Sequence, residues 1–257
     1  MHALLIKVLV GTVVGVLVGL TGLGSGVLLL PFLIFGLGIP PIVAVGSDAA
    51  FSVLTKLGAG FLHWRQRTVN WRLVRLLAFG SIPGAFGGVL LIARLHMVYG
   101  NGVNDILRLI VGALLVFIPL LVLAQGMFTK TILKMKVEIP SSPIGVGLIG
   151  VFAGFLVGLS SVGSGTIVLV LLVLLIHCSP AILVGTDIIH AVLLTGFTTI
   201  LYLRLGTVDF GLVMALLVGS IPGALIGVRL STLLPSPWLK GVLCVALLAS
   251  GVRMLLV

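Results

Sequence analysis

Asp48 and Asp187 each close a long stretch without ordinary charge: residues 8–47 and 139–186 contain no Asp, Glu, Lys or Arg. Each aspartate follows a glycine and a hydroxyl residue, in Gly46-Ser47-Asp48 and Gly185-Thr186-Asp187. If the surrounding residues cross a bilayer, a carboxylate there costs roughly 2.5–3.5 kcal/mol on insertion scales, so it normally faces a polar interior. Two roles fit such a group. It can carry a coupling proton, or it can cap the free N–H groups of a nearby helix start. Lys56 lies eight residues after Asp48, within about 80° of it on a helical wheel, with Ser52 between. It can neutralise Asp48, attract an anion, or reach to the membrane interface along its apolar stem. The position 139 residues beyond it is Thr195, so any such role is asymmetric. His190, just after Asp187, is a lone imidazole in apolar surroundings, either a proton carrier or a core residue.

Uncharged interruptions form a second pattern. Gly22-Leu23-Gly24-Ser25-Gly26 breaks one apolar run and Ser160-Ser161-Val162-Gly163-Ser164-Gly165 breaks another. A helix broken inside a protein exposes backbone N–H groups at the start of the next helix, where the positive dipole end favours an anion. Ser25 and Ser164 add a hydroxyl each; the alternative is a plain turn between packed helices. Pro83 and Pro222 lie in Gly80-Ser81-Ile82-Pro83-Gly84-Ala85 and Gly219-Ser220-Ile221-Pro222-Gly223-Ala224. A proline there predicts a kink or a break, leaving carbonyls free for a ligand or serving architecture alone.

These motifs recur because the chain is duplicated. Residues 11–88 reappear at 150–227 without a gap, and 31 of the 78 paired positions are identical. With 60% hydrophobic residues, 8% charged residues and a mean hydropathy of +1.41, this chain cannot make a soluble surface. The formal charge of +10 places Lys and Arg in loops facing anionic headgroups and does not imply nucleic acid. Cys178 and Cys244 read as packing residues, and neither a metal nor another cofactor is expected. The first 20 residues read as a retained helix, because no small-residue cleavage site follows.

The elements that position these residues are ten apolar stretches. They run roughly over 3–21, 25–39, 42–63, 72–94 and 105–124, then 144–160, 164–178, 181–203, 210–230 and 237–256. Lipid offers backbone groups no water, so all should be helices. The fold class is an all-α polytopic membrane protein with a first repeat at 1–124, a cytoplasmic linker at 125–142 and a second repeat at 143–257. Trp64 and Trp71 bracket Arg65, Arg67, Arg72 and Arg75, the pattern of a cytoplasmic interface. Gly11, Gly15 and Gly19, like Gly150, Gly154 and Gly158, mark a helix face for close packing. Lys and Arg counts do not separate inverted from parallel repeats. Length favours inversion, since residues 8–39 as one helix would span about 48 Å against a hydrocarbon core of about 30 Å. The interrupted helices are then expected to meet near the bilayer midplane.

The order and spacing of the Gly-Leu-Gly-Ser-Gly, Gly-Ser/Thr-Asp and Gly-Ser-Ile-Pro-Gly-Ala elements resemble the TauE/SafE family of sulfite and organosulfonate exporters, over essentially the whole chain. The resemblance implies a cytoplasmic-membrane permease for a small sulfur-containing anion, driven by the proton gradient. On this reading Gly24, Ser25, Gly26, Gly163, Ser164, Gly165, Ser47, Thr186 and Lys56 contact the anion, and Asp48, Asp187 and His190 handle protons. The partners are then the anion, protons and membrane lipids; oligomeric state stays open, a homodimer among the arrangements. The competing functions are an anion channel and an intramembrane lipid-phosphate enzyme. The enzyme is disfavoured, because the single Glu is Glu138 in the linker and no Arg lies near the middle of a crossing.

Overall fold

In the computed structural model, which describes residues 2–21, 24–135, 143–175, 178–231 and 236–256, every regular element is helical. The first half comprises α1 (His2–Thr21), α2 (Ser25–Pro31) running into a π-helical turn (Phe32–Gly36), α3 (Pro41–Arg65), α4 (Trp71–Tyr99) and α5 (Val103–Met135). The second comprises α6 (Pro143–Ser160), α7 (Ile167–Leu175), α8 (Pro180–Arg204), α9 (Phe210–Ser231) and α10 (Ser236–Leu256). Among the described residues, five helical stretches are long and apolar enough to cross a membrane: Pro41–Arg65, Trp71–Val122, Pro143–Ser160, Ala181–Arg204 and Phe210–Gly227. Large apolar side chains such as Phe79, Met214, Leu225 and Val245 are exposed on the outside, as a lipid-facing surface requires. Helix α5 continues past residue 124 into the segment expected to be linker, and residues 136–142 lie outside the described residues.

Local chemistry fixes the helix ends. Pro41 and Pro180 open α3 and α8, at first-turn positions where a missing N–H costs nothing. The Asn70 side chain accepts from the amides of Arg72 and Leu73 at the start of α4, and Asp209 accepts from the amide of Leu212 at the start of α9. Arg67 and Gly206, 139 residues apart, both adopt positive φ in the turns after α3 and α8.

The glycine stripes are packing surfaces. A Cβ on Gly150, Gly154 or Gly158 of α6 would collide with the backbone oxygens of Leu77, Ser81 and Ala85 on α4. A Cβ on Gly11 or Gly15 of α1 would strike those of Leu216 and Ser220 on α9. In both pairs residue numbers rise together along the contact, so α1 runs parallel to α9 and α6 parallel to α4. Across α3 and α8 the order reverses: Gly60 faces Ile189 and Val192, whereas Val53 faces Gly196. Gly112 faces Met254 while Val116 faces Gly251, so α5 and α10 are antiparallel as well.

Pro83 and Pro222 differ from the expectation of a break. Helices α4 and α9 continue through both, and both prolines are exposed. Pro83 borders an outer apolar groove with Val151, Phe152 and Phe155. Both prolines thus lie on the outer side of their helices, whereas Ser81 and Ser220 of the same elements are buried. Cys178 is exposed rather than packed, and Cys244 is buried.

Candidate functional site

Both aspartates are interior to their helices. Asp48 and Asp187 follow Pro41 and Pro180 by seven residues, so neither caps a helix N-terminus. Both are buried. Asp48 Oδ2 accepts a 2.7 Å hydrogen bond from Ser161 Oγ, which arrives from the interruption after α6. The hydroxyls of Ser25, at the start of α2, and Ser52, one turn beyond Asp48 on α3, bond to each other at 2.5 Å. Gly26 lets the backbone approach: a Cβ there would lie 2.7 Å from Asp48 Oδ2 and 3.0 Å from the Ser161 carbonyl oxygen. Oδ1 of Asp48 and of Asp187 has no hydrogen-bond partner among the described residues.

Lys56 crosses between the halves. Its Nζ donates to Ser164 Oγ at 2.7 Å and to the Ser164 carbonyl at 3.2 Å. No ion pair within 4 Å joins it to Asp48 or Asp187 among the described residues, but both carboxylates act on its charge through space. A Cβ on Gly165 would stand 3.6 Å from Asp187 Oδ2 and 3.7 Å from Lys56 Nζ. One on Gly24 would stand 3.9 Å from Thr166 Oγ1 and 4.0 Å from the Gly165 amide nitrogen. The two interruptions therefore meet in the interior, with Gly24 and Gly165 at their contact. Helix α2 with its π turn covers 12 residues and α7 covers 9, about 18 and 14 Å, so each is too short to cross the core alone. Gly163 adopts φ +92°, a conformation that disfavours any side chain, in the turn that carries Ser164 inward.

The remaining candidates face other walls. His190 Nε2 shares a 2.8 Å hydrogen bond with Ser81 of α4, while its Nδ1 is buried without a partner among the described residues. Ser47 Oγ accepts from the Asp209 amide and Thr186 Oγ1 from the Asn70 amide, both at 3.0 Å. A Cβ on Gly46 or Gly185 would press on Thr207 or Thr68 in the same turns. The Gly-Ser/Thr-Asp element thus works on two faces: its first two residues latch the turn of the opposite half, and only the aspartate points to the centre. Reading the sequence did not single out Ser161 or Thr166. The signal present was the Ser160-Ser161 pair where the first half has Thr21-Gly22.

Membrane-length apolar helices around a buried polar centre, where two helix interruptions meet, define a multi-pass membrane transporter. The chain belongs to the family described as sulfite exporter TauE/SafE, whose model matches residues 7–254. It is 37% identical over 253 residues to the probable membrane transporter protein YjnA of Bacillus subtilis, covering 96% of this chain and 98% of that one. It is 24% identical over 252 residues to YdhB, another probable membrane transporter of the same organism, again covering 96% and 98%. A probable membrane transporter protein of Xylella fastidiosa is 26% identical over 239 residues, 90% of this chain and 86% of that one. These relatives are named as transporters, not enzymes. No solved structure matches significantly.

Proposed function

We propose that the protein is a proton-coupled carrier of sulfite or an organosulfonate across the cytoplasmic membrane. The observation that carries this reading is the meeting of the two interruptions beside Lys56, which gathers the Lys56 ammonium, the Ser164 hydroxyl and the Gly165 amide next to Gly24 and Gly165. An anion entering there gains Lys56, the Ser164 hydroxyl and amide dipoles in exchange for its hydration. Gly26, Ser25 and Gly163 shape the space, while Ser47 and Thr186 hold its frame. The nearby Asp48 and Asp187 carboxylates repel an anion unless protonated, so proton uptake and anion binding favour each other, which is thermodynamic coupling. His190 is a third group able to exchange a proton with this centre.

The architecture suited to this is a pair of inverted repeats. Helix α3 corresponds to α8 at the 139-residue offset, α5 and α10 each come last in their half, and the antiparallel contacts of both pairs are what an axis within the membrane plane produces. Rocking of one repeat against the other then exposes the site alternately to the two sides. The test is transport by purified protein in proteoliposomes, with sulfite and a set of sulfonates, with and without an imposed pH gradient. Saturable flux that the gradient drives uphill supports the carrier; flux that only runs downhill and does not respond to pH supports a channel. If no sulfur oxyanion moves or stabilises the protein, the substrate class is wrong.

A further inference from the structure

Thr166 is the buried hydroxyl that neither motif explains. It is 6% exposed, and its Oγ1 has no hydrogen-bond partner among the described residues. A buried hydroxyl left unpaired is unfavourable, so this group weakens the fold unless a partner is supplied to it. Its neighbourhood is specific. The nearest atom to a Cβ built on Gly24 is Thr166 Oγ1, at 3.9 Å, followed by the Gly165 nitrogen. Thr166 thus borders the place where the two interruptions meet, two residues beyond the Ser164 that Lys56 holds. In the first half the matching position is Val27, which has nearly the same shape and no hydroxyl.

From this geometry we infer that Thr166 is a specificity-determining residue of the anion site, donating a hydrogen bond to one oxygen of the bound solute. The inference rests on the anion-carrier reading above and adds a residue to it. With Lys56 Nζ and Ser164 Oγ, Thr166 Oγ1 makes three donors, which match the three oxygens of an SO3 group. A planar carboxylate holds its acceptor sites in one plane, so it fits three donors grouped around a pyramidal SO3 group poorly and leaves one of them badly aligned. Discrimination then follows, because a site built to hydrogen-bond each oxygen disfavours a ligand that leaves a buried donor unpaired.

Thr166→Val and Thr166→Ser separate this from a packing role. Valine keeps the volume and supplies the first half's own residue, and serine keeps the hydroxyl. Three quantities are read on each purified variant: the melting temperature without substrate, the apparent KM for a sulfonate and for the carboxylate of equal chain length, and the maximal rate. Thr166→Val is expected to melt at or above the wild-type temperature. Its sulfonate KM rises about tenfold or more, with the maximal rate nearly unchanged and the carboxylate KM unchanged or lower, because valine removes the donor that the carboxylate leaves badly paired. Thr166→Ser restores the wild-type sulfonate KM. An unchanged sulfonate KM in Thr166→Val overturns the inference while leaving the carrier reading intact. So does a lower melting temperature with equal losses for both substrates. If the wild type moves no sulfur oxyanion, the carrier reading falls and this inference with it.

Discussion

Lys56 of α3 and Ser164 of the interruption before α7 are joined by two hydrogen bonds from one ammonium group, 2.7 Å to the hydroxyl and 3.2 Å to the carbonyl. Lys56, near the middle of the stretch 42–63, thus reaches across the halves to the opposite helix break. It is tethered to neutral oxygens and makes no ion pair within 4 Å among the described residues, while Asp48 and Asp187 act on its charge from further off. Lys56→Met is therefore expected to raise the apparent KM for the transported anion by roughly 10–100-fold, the usual worth of a hydrogen bond to a charged group. Lys56→Arg should recover part of the loss. Initial rates in proteoliposomes measure this, and an unaltered KM in Lys56→Met would remove the lysine from the site.

Gly26 and Gly165 look alike in sequence and should behave differently. A Cβ on Gly26 comes within 3.0 Å of both Asp48 Oδ2 and the Ser161 backbone oxygen. Gly26→Ala should then lower stability by about 1–3 kcal/mol through overpacking. A Cβ on Gly165 makes ordinary contacts of 3.6 and 3.7 Å with Asp187 and Lys56. Gly165→Ala should fold normally and still transport poorly, because the methyl group occupies space reserved for the solute. Thermal melts in detergent alongside uptake rates distinguish the two, and equal melting temperatures for both variants would contradict the argument.

Asp48 receives a hydroxyl donor from Ser161, whereas the matching donor for Asp187 is missing because Gly22 stands at that position. In the wild type, acidification should strengthen anion binding, since each proton taken up removes a negative charge beside the anion. Asp48→Asn and Asp187→Asn should each flatten this pH dependence and weaken uphill transport while downhill exchange persists. Binding isotherms across a pH series report it. A double variant that still concentrates the anion under a pH gradient would exclude both carboxyls from coupling.

The proposed inversion of the repeats has a direct chemical consequence. Arg65 and Arg204 end α3 and α8 at matching positions, and these helices run antiparallel. With Cys178 and Cys244 replaced by serine, a cysteine at position 65 should react with a membrane-impermeant thiol reagent from the cytoplasmic side only. A cysteine at position 204 should react from the other side only. Labelling of both from one side would make the repeats parallel.

The sequence alone determined that the described elements are helices and where most of them start, because lipid forces every apolar stretch to satisfy its own backbone and because Gly, Pro and charge punctuate the chain so sharply, whereas α4 and α5 run on past their expected ends. It also marked Asp48 and Asp187 as interior polar positions, since a carboxylate is unfavourable in hydrocarbon, and both are buried. Side-chain direction was decided only in three dimensions. Ser47 and Asp48 are neighbours in the chain, yet one latches a turn of the opposite half and the other faces the centre, because successive helical residues point about 100° apart and only packing says which way is inward. The same holds for Ser161 and Thr166, whose contacts lie more than a hundred residues away in the chain. No local pattern encodes that distance; the antiparallel meeting of α3 with α8, set by glycine-lined helix contacts, brings the two helix breaks together.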